Sequence, residues 1–314
     1  MSELADRLRA GDLSAAPAVL NLMESRAPGA RSEAAELLAA ISPASLGREA
    51  AAHVVGVTGP PGVGKSSLLS RLVAAWRARG RSVAVLAVDP SSRRSGGSLL
   101  GDRARIDHDP ADKQVFIRSM AAGDRLGGLA PATRAAAEAL AVAFDVVVIE
   151  TVGVGQSETE VADAADTVAV VIQPGSGDVL QFLKAGIMEV PDVLVVTKAD
   201  LGRVAERAMS DLRSALGSLG ASDTRVVAVS SVPPPSGIDE LLDALDAHRD
   251  RLDLRARRLW ARRAHALAEF AAEYGEHGLR SLGGRRQAQA WLAELDPGLD
   301  VPALVRQLQE RTRG

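Results

Sequence analysis

The chain has 314 residues, 46% hydrophobic and 25% charged with a net charge of −3, enough for one large α/β domain with appendages or two small domains. The near-neutral charge gives no electrostatic reason to expect nucleic acid or a membrane surface as partner, and zero cysteines exclude disulfides, thiolate metal sites and cysteine nucleophiles. The polar start MSELADRLRAGD lacks a signal-peptide core and no apolar run approaches a membrane span, so the expected setting is cytoplasmic.

Residues 1–50 read as a helical extension of short helices, broken at Gly11–Asp12, Pro28–Gly29 and Pro43. From His53 the pattern changes to short β-branched runs separated by helical stretches: His53–Thr58, Val83–Asp89, Val115–Arg118, Asp145–Glu150, Thr167–Gln173, Val193–Lys198 and Arg225–Ser230. Apolar runs this continuous suit strands covered on both faces. The expected fold is therefore α/β, with a mainly parallel central sheet of about seven strands flanked by helices over residues 51–251. Leu68, Leu69, Leu72, Val73 and Trp76 line one face of a helix over Lys65–Arg79. Residues 252–314 carry no strand signal and read as a second helical extension, expected to serve dimerisation; its first helix is expected over Leu252–Gly275.

Gly59-Pro60-Pro61-Gly62-Val63-Gly64-Lys65-Ser66 fits the phosphate-loop pattern, directly after an apolar strand and before an amphipathic helix. Its glycines let backbone N–H groups close around phosphates, and the helix N-terminus that includes Ser67 adds its dipole. Lys65 would reach the β- and γ-phosphates, and the Ser66 hydroxyl would ligate Mg²⁺. Asp89 and Glu150 end strands, where open parallel sheets bind ligands. Glu150-Thr151-Val152-Gly153 has the form of a metal-holding acid followed by a glycine whose N–H touches the γ-phosphate, with Glu where most GTPases carry Asp. Asp102 closes a Gly- and Ser-rich loop that could order around Mg²⁺ and γ-phosphate.

Thr197-Lys198-Ala199-Asp200 resembles the N-K-x-D guanine motif. A carboxylate at Asp200 can accept from guanine N1–H and the exocyclic amine together, a donor pair adenine lacks. The stem of Lys198 can cover the base, and Ser230-Ser231 stand where a backbone N–H would meet guanine O6. Thr197 replaces the usual Asn, so its one hydroxyl can supply only part of an amide's bonding to the phosphate loop. GTP and GDP are the expected ligands, with Mg²⁺.

Longer strings are more specific. Asp89-Pro-Ser-Ser, Ser95-Gly-Gly-Ser-Leu-Leu-Gly-Asp102, Phe116-Ile-Arg-Ser-Met120, Leu126-Gly-Gly-Leu129, Glu150-Thr-Val-Gly-Val-Gly-Gln-Ser-Glu158 and Gln173-Pro-Gly-Ser-Gly-Asp178 closely resemble the MeaB/ArgK family. The resemblance implies a homodimeric GTPase, slow unless stimulated, that gates adenosylcobalamin loading into methylmalonyl-CoA mutase or a related acyl-CoA mutase and protects it. It also implies Mg²⁺ held around Ser66, Asp89, Asp102 and Glu150. The stretch Gln173–Lys184, with Asp178, Gln181 and Lys184 as candidate contacts, matches a loop that couples nucleotide state to the mutase. Two departures stand out: Gly123-Asp124-Arg125 where the family usually has an Arg-Gly pair, and Thr197.

Two other readings remain open. One is a kinase of a small molecule or protein, for which no acceptor pocket or base is identifiable. The other is a nickel-delivery GTPase, which zero cysteines disfavour. Arg255, Arg257, Arg258, Arg262 and Arg263, around Leu259 and Trp260, read as a solvated helix face or a subunit contact.

Overall fold

The computed structural model describes residues 3–89, 106–121, 129, 131–151, 157–175 and 191–313. Seven strands form one sheet: β1 (His53–Thr58), β2 (Val83–Asp89), β3 (Val115–Ala121), β4 (Val146–Thr151), β5 (Thr167–Ile172), β6 (Val193–Val196) and β7 (Arg225–Ala228). The helices are α1 (Glu3–Arg9), α2 (Ala16–Glu24), α3 (Ala30–Ala40), α4 (Pro43–Leu46), α5 (Lys65–Ala78), α6 (Pro131–Leu140), α7 (Ser157–Ala164), α8 (Arg203–Ser218), α9 (Ile238–Arg251), α10 (Leu254–Ser281), α11 (Arg285–Glu294) and α12 (Val301–Arg313).

The sheet order is β3-β2-β4-β1-β5-β6-β7, and every pairing is parallel. All residues of β1, β4, β5 and β6 are buried, as expected for strands covered on both faces. Strand β3 runs three residues past the expected Arg118, because Ser119, Met120 and Ala121 stay in register with Ala87, Val88 and Asp89. Helix α5 turns Leu68, Leu69, Leu72, Val73 and Trp76 into the core formed with Val55, Val85, Val148 and Leu241. Each such fully buried aliphatic side chain contributes about 1.5–3 kcal/mol. The helix stops at Gly80, whose φ of 77° lets Arg81 N–H reach the Trp76 carbonyl at 3.0 Å, a Schellman closure.

By packing, the chain divides into two compact units: residues 52–137 with 144–252, which hold the sheet, and residues 1–51, 138–143 and 253–314. In the second unit the N- and C-terminal segments fold together. Its core joins Ala266, Leu267 and Phe270 of α10 to Leu292 of α11 and Leu304 and Leu308 of α12. Helix α10 does not end at Gly275 as expected. It kinks there, at φ 62° and ψ −163°, and continues to Ser281.

The arginines of α10 are not all a solvated face. Arg262 is 6% exposed and forks onto Glu49 at 3.0 and 2.8 Å, with the Pro297 carbonyl at 3.0 Å. Arg258 donates to the Ala50 carbonyl at 2.7 Å, and Arg263 to that of Ala293 at 3.0 Å. The planar heads of Arg258 and Arg262 tie the N-terminal segment to α10. In the same unit burial pushes the Glu138 carboxyl up to about 7, with Arg262 and Arg258 lowering it and Asp300 and Glu269 raising it.

Beneath the sheet, at the amino ends of the strands, lies a chain of polar contacts. His53 Nε2 and His248 Nδ1 each lie 2.8 Å from the Thr167 hydroxyl, and His248 Nε2 lies 3.2 Å from Asp192. Burial lowers the His53 pKa, which keeps its ring neutral. Burial raises that of Asp246, but nearby His53 and the Arg81 fork, at 2.7 and 2.9 Å, hold its carboxyl well below the usual range.

Candidate functional site

Parallel strands deliver their carboxyl ends to one edge of the sheet, and the candidate residues sit along that edge in strand order. Asp89 closes β2, Glu150 lies in β4, Gly59 follows β1, Gln173 follows β5, Thr197 follows β6 and Ser230 lies just beyond β7. The register places Glu150 between Val57 of β1 and Ala87 of β2. The parallel sheet brings Asp89, Glu150, the phosphate loop and the T-K-x-D segment to one edge although they are far apart in sequence.

The phosphate loop has the backbone that its glycines imply. Gly59, Gly62 and Gly64 have φ of 145°, 79° and 99°. At Gly59 the constraint is also steric, since a Cβ would lie 2.1 Å from the Val171 carbonyl oxygen. At Gly62 and Gly64 a Cβ would meet open space, so only the positive φ demands glycine there. The amides of Gly62, Val63 and Gly64 donate to nothing among the described residues, which fits a concave cradle for phosphate oxygens. Pro60 is half-buried, Pro61 and Ser67 are exposed, and Val63 is packed at 3% exposure.

Lys65 is 7% exposed, and its ammonium donates to the carbonyls of Gly59 at 2.7 Å and Pro60 at 3.1 Å. It lies 3.9 Å from the carboxylate of Glu150, which is 2% exposed. A buried cation and a buried anion at this range compensate each other's desolvation. Next to Glu150, the Thr151 hydroxyl donates to the Thr58 hydroxyl oxygen at 3.0 Å, fixing β4 against the entrance of the loop. The donors gathered here, the Ser66 hydroxyl at the start of α5 and the Glu150 carboxylate, are hard oxygens of the kind Mg²⁺ accepts together with phosphate and water. Asp89 reaches the same edge by its backbone, paired with Ala121; its side chain lies outside the description. Asp102, Gly153, Asp178, Gln181 and Lys184 also lie outside the described residues.

The Thr197–Asp200 segment is tied down by several hydrogen bonds. The buried Thr197 hydroxyl lies 2.7 Å from the Val63 carbonyl of the phosphate loop and 3.0 Å from that of Ile172. Having one proton, it donates to these two acceptors by sharing or alternation. Lys198 adopts a left-handed φ of 56°, and its ammonium donates to the Gln173 side-chain oxygen. The Ser230 hydroxyl donates to Asp200 at 2.7 Å. Asp200 and Lys198 are themselves exposed.

The tertiary structure divides the Ser230-Ser231 pair. The Ser230 N–H donates to the Ser236 carbonyl at 3.0 Å, so it is not available to guanine O6. The Ser231 N–H has no acceptor among the described residues. Ser230 contributes through its hydroxyl. Sequence reading also missed the Gln173 contact to Lys198, although the two lie one and two residues past the ends of adjacent strands.

A candidate GTPase of Pyrococcus abyssi is 40% identical over 277 residues, spanning 86% of this chain and 82% of that protein. The methylmalonic aciduria type A homolog, mitochondrial, of Caenorhabditis elegans is 32% identical over 335 aligned positions, covering 98% of this chain and 82% of its own length. Among solved structures, one described as LAO/AO transport system kinase superposes with a TM-score of 0.66 at 29% identity, covering 99% of this chain and 97% of its own. HypB from Helicobacter pylori, solved with nickel, shares the fold at a TM-score of 0.50 and 20% identity, covering 70% of this chain and 95% of its own. The profile of the methylmalonyl Co-A mutase-associated GTPase MeaB matches residues 16–279, and the chain belongs to that family of GTPases.

Proposed function

We propose that the chain is a GTP-hydrolysing chaperone that gates adenosylcobalamin loading into methylmalonyl-CoA mutase, or a related acyl-CoA mutase, and protects the loaded enzyme. The observation that carries the nucleotide half of this reading is the bond between Thr197 and Val63, which makes base recognition and phosphate binding one rigid site. Membership of the MeaB family supports the mutase half.

In this reading the loop amides of residues 62–64 and Lys65 hold the phosphates, while Asp200, Ser231 and the stem of Lys198 recognise guanine. Ser66 and Glu150, with Asp89 and Asp102, would hold Mg²⁺, which supplies charge neutralisation at the β- and γ-phosphate oxygens. Glu150 also keeps the Lys65 ammonium at the loop, where it can follow charge onto the transferred phosphoryl group. Gly153 would direct its N–H at the γ-phosphate. Hydrolysis unaided is slow, and the partner accelerates it. Residues 173–184 carry the coupling, the helical ends of the chain form a homodimer, and the assumed compartment is the cytoplasm.

The test is steady-state GTP hydrolysis with and without a cobalamin-dependent acyl-CoA mutase, for the wild type and Lys184→Ala. The expected result is stimulation of the wild type that Lys184→Ala abolishes, with nucleotide affinity nearly intact. No stimulation of the wild type would overturn the chaperone reading, and equal stimulation of both would overturn the coupling role of Lys184.

A further inference from the structure

We infer that Gln173 is a positioning residue for nucleotide recognition: its amide oxygen anchors the Lys198 ammonium and so fixes the Lys198 stem as the wall against which the base packs. The inference rests on the guanine-nucleotide reading of the site and deepens it.

The placement follows from the sheet. Strands β5 and β6 run parallel with Ile172 opposite Val196, and the Thr197 N–H closes onto the Ile172 carbonyl at 2.9 Å. Gln173 is the first residue past β5 and Lys198 the second past β6, so both leave the same end of two adjacent strands. Lys198 is held in the left-handed region, at φ 56°, a conformation that a non-glycine residue keeps only where its surroundings enforce it. The Ala199 N–H bond to the Val229 carbonyl at 3.0 Å and the Thr197 hydroxyl bonds provide that enforcement on the backbone. Nothing in the backbone, however, selects a rotamer for the long, exposed lysine stem. The Gln173 oxygen does, because it accepts from the ammonium at the far end.

A lysine stem carries considerable rotamer entropy, and a wall already frozen in place loses less of it when the base arrives. Glutamine suits the task better than an acid would in one respect: it accepts a hydrogen bond while adding no negative charge beside the Asp200 carboxylate. Asp200 is held from the other side by the Ser230 hydroxyl at 2.7 Å. Wall and edge of the base site are thus anchored independently, the first by Gln173 and the second by Ser230. In base recognition Gln173 acts through Lys198.

Equilibrium titration and dissociation kinetics of fluorescent GDP, IDP and ADP decide it, using the full chain and the variants Gln173→Met, Gln173→Glu, Lys198→Met and the Gln173→Met/Lys198→Met double. Gln173→Met keeps the side-chain shape and removes the acceptor, and is expected to weaken GDP by about five- to tenfold. It should weaken IDP by the same factor, since the Asp200 edge is untouched. Gln173→Glu retains an acceptor and should stay within about twofold of the wild type. The double variant should bind no worse than Lys198→Met alone, because the two residues act as one unit. Wild-type affinity in Gln173→Met, equal loss in the Met and Glu variants, or additive loss in the double variant would each overturn the inference. Failure of the underlying guanine reading shows separately, as equal wild-type affinity for ADP and GDP in the same titrations.

Discussion

The Thr197 hydroxyl lies 2.7 Å from the Val63 carbonyl oxygen, joining the base-recognition segment to the phosphate loop across 134 residues of sequence. Thr197→Val keeps the shape of the side chain and leaves a buried carbonyl without this donor, at a cost of about 1–3 kcal/mol. GDP affinity is expected to fall about tenfold, with a lower thermal midpoint. Isothermal titration and thermal unfolding measure both; an unchanged GDP affinity would show that the two halves of the site do not depend on this bond.

Glu150 sits 3.9 Å from the Lys65 ammonium, and both are buried. Glu150→Gln removes the charge at nearly constant volume. Mg²⁺-dependent GTP hydrolysis is expected to fall by at least about tenfold, or about 1.4 kcal/mol of barrier. Initial rates over a Mg²⁺ series check this, and a wild-type Mg²⁺ profile would remove Glu150 from the metal site. Asp102→Ala is expected to lower the rate similarly while changing GDP affinity less.

In the proposed reading base choice depends on Asp200, which accepts from the Ser230 hydroxyl at 2.7 Å. Asp200→Asn replaces an acceptor pair with an acceptor and a donor. It should weaken GTP strongly, by about a hundredfold, and admit xanthosine nucleotides, whose 2-oxo group takes the amide donor. Competition titrations against GTP, XTP and ATP read the outcome directly.

Glu138 predicts a pH dependence of stability. Its carboxyl is raised from an ordinary 4.5 to about 7 in the folded chain, so between those values the native state binds the proton more tightly than the unfolded chain. Its contribution to stability is present below the lower value and lost as pH rises through about 7. Glu138→Gln should therefore raise the thermal midpoint at pH 8 by at least about 2 °C and change it little at pH 5. His53 works in the opposite direction, because a lowered pKa makes the neutral ring costly to keep as pH falls below the ordinary histidine value of 6.5. Melting curves of the variant and the wild type across this range separate the two.

The phosphate loop, the seven strands and the T-K-x-D segment were legible in the sequence because each is written in consecutive residues. Strands reveal themselves by continuous apolar runs, and the loop by glycines whose positive φ no other residue adopts cheaply. What each polar group meets was not legible. The arginine row of α10 has the spacing of a solvated face, yet Arg262 is buried because Glu49, 213 residues away, supplies a matching fork. Ser230 and Ser231 look interchangeable in sequence, and only the return of Ser236 takes one amide and leaves the other. The Gln173–Lys198 and Thr197–Val63 contacts likewise depend on strand order, which places β5 and β6 side by side next to β1. Local sequence fixes backbone conformation because steric and periodic preferences act within a few residues. The partners of buried hydrogen-bonding groups are chosen by the packing of distant segments, so only the tertiary structure decides them.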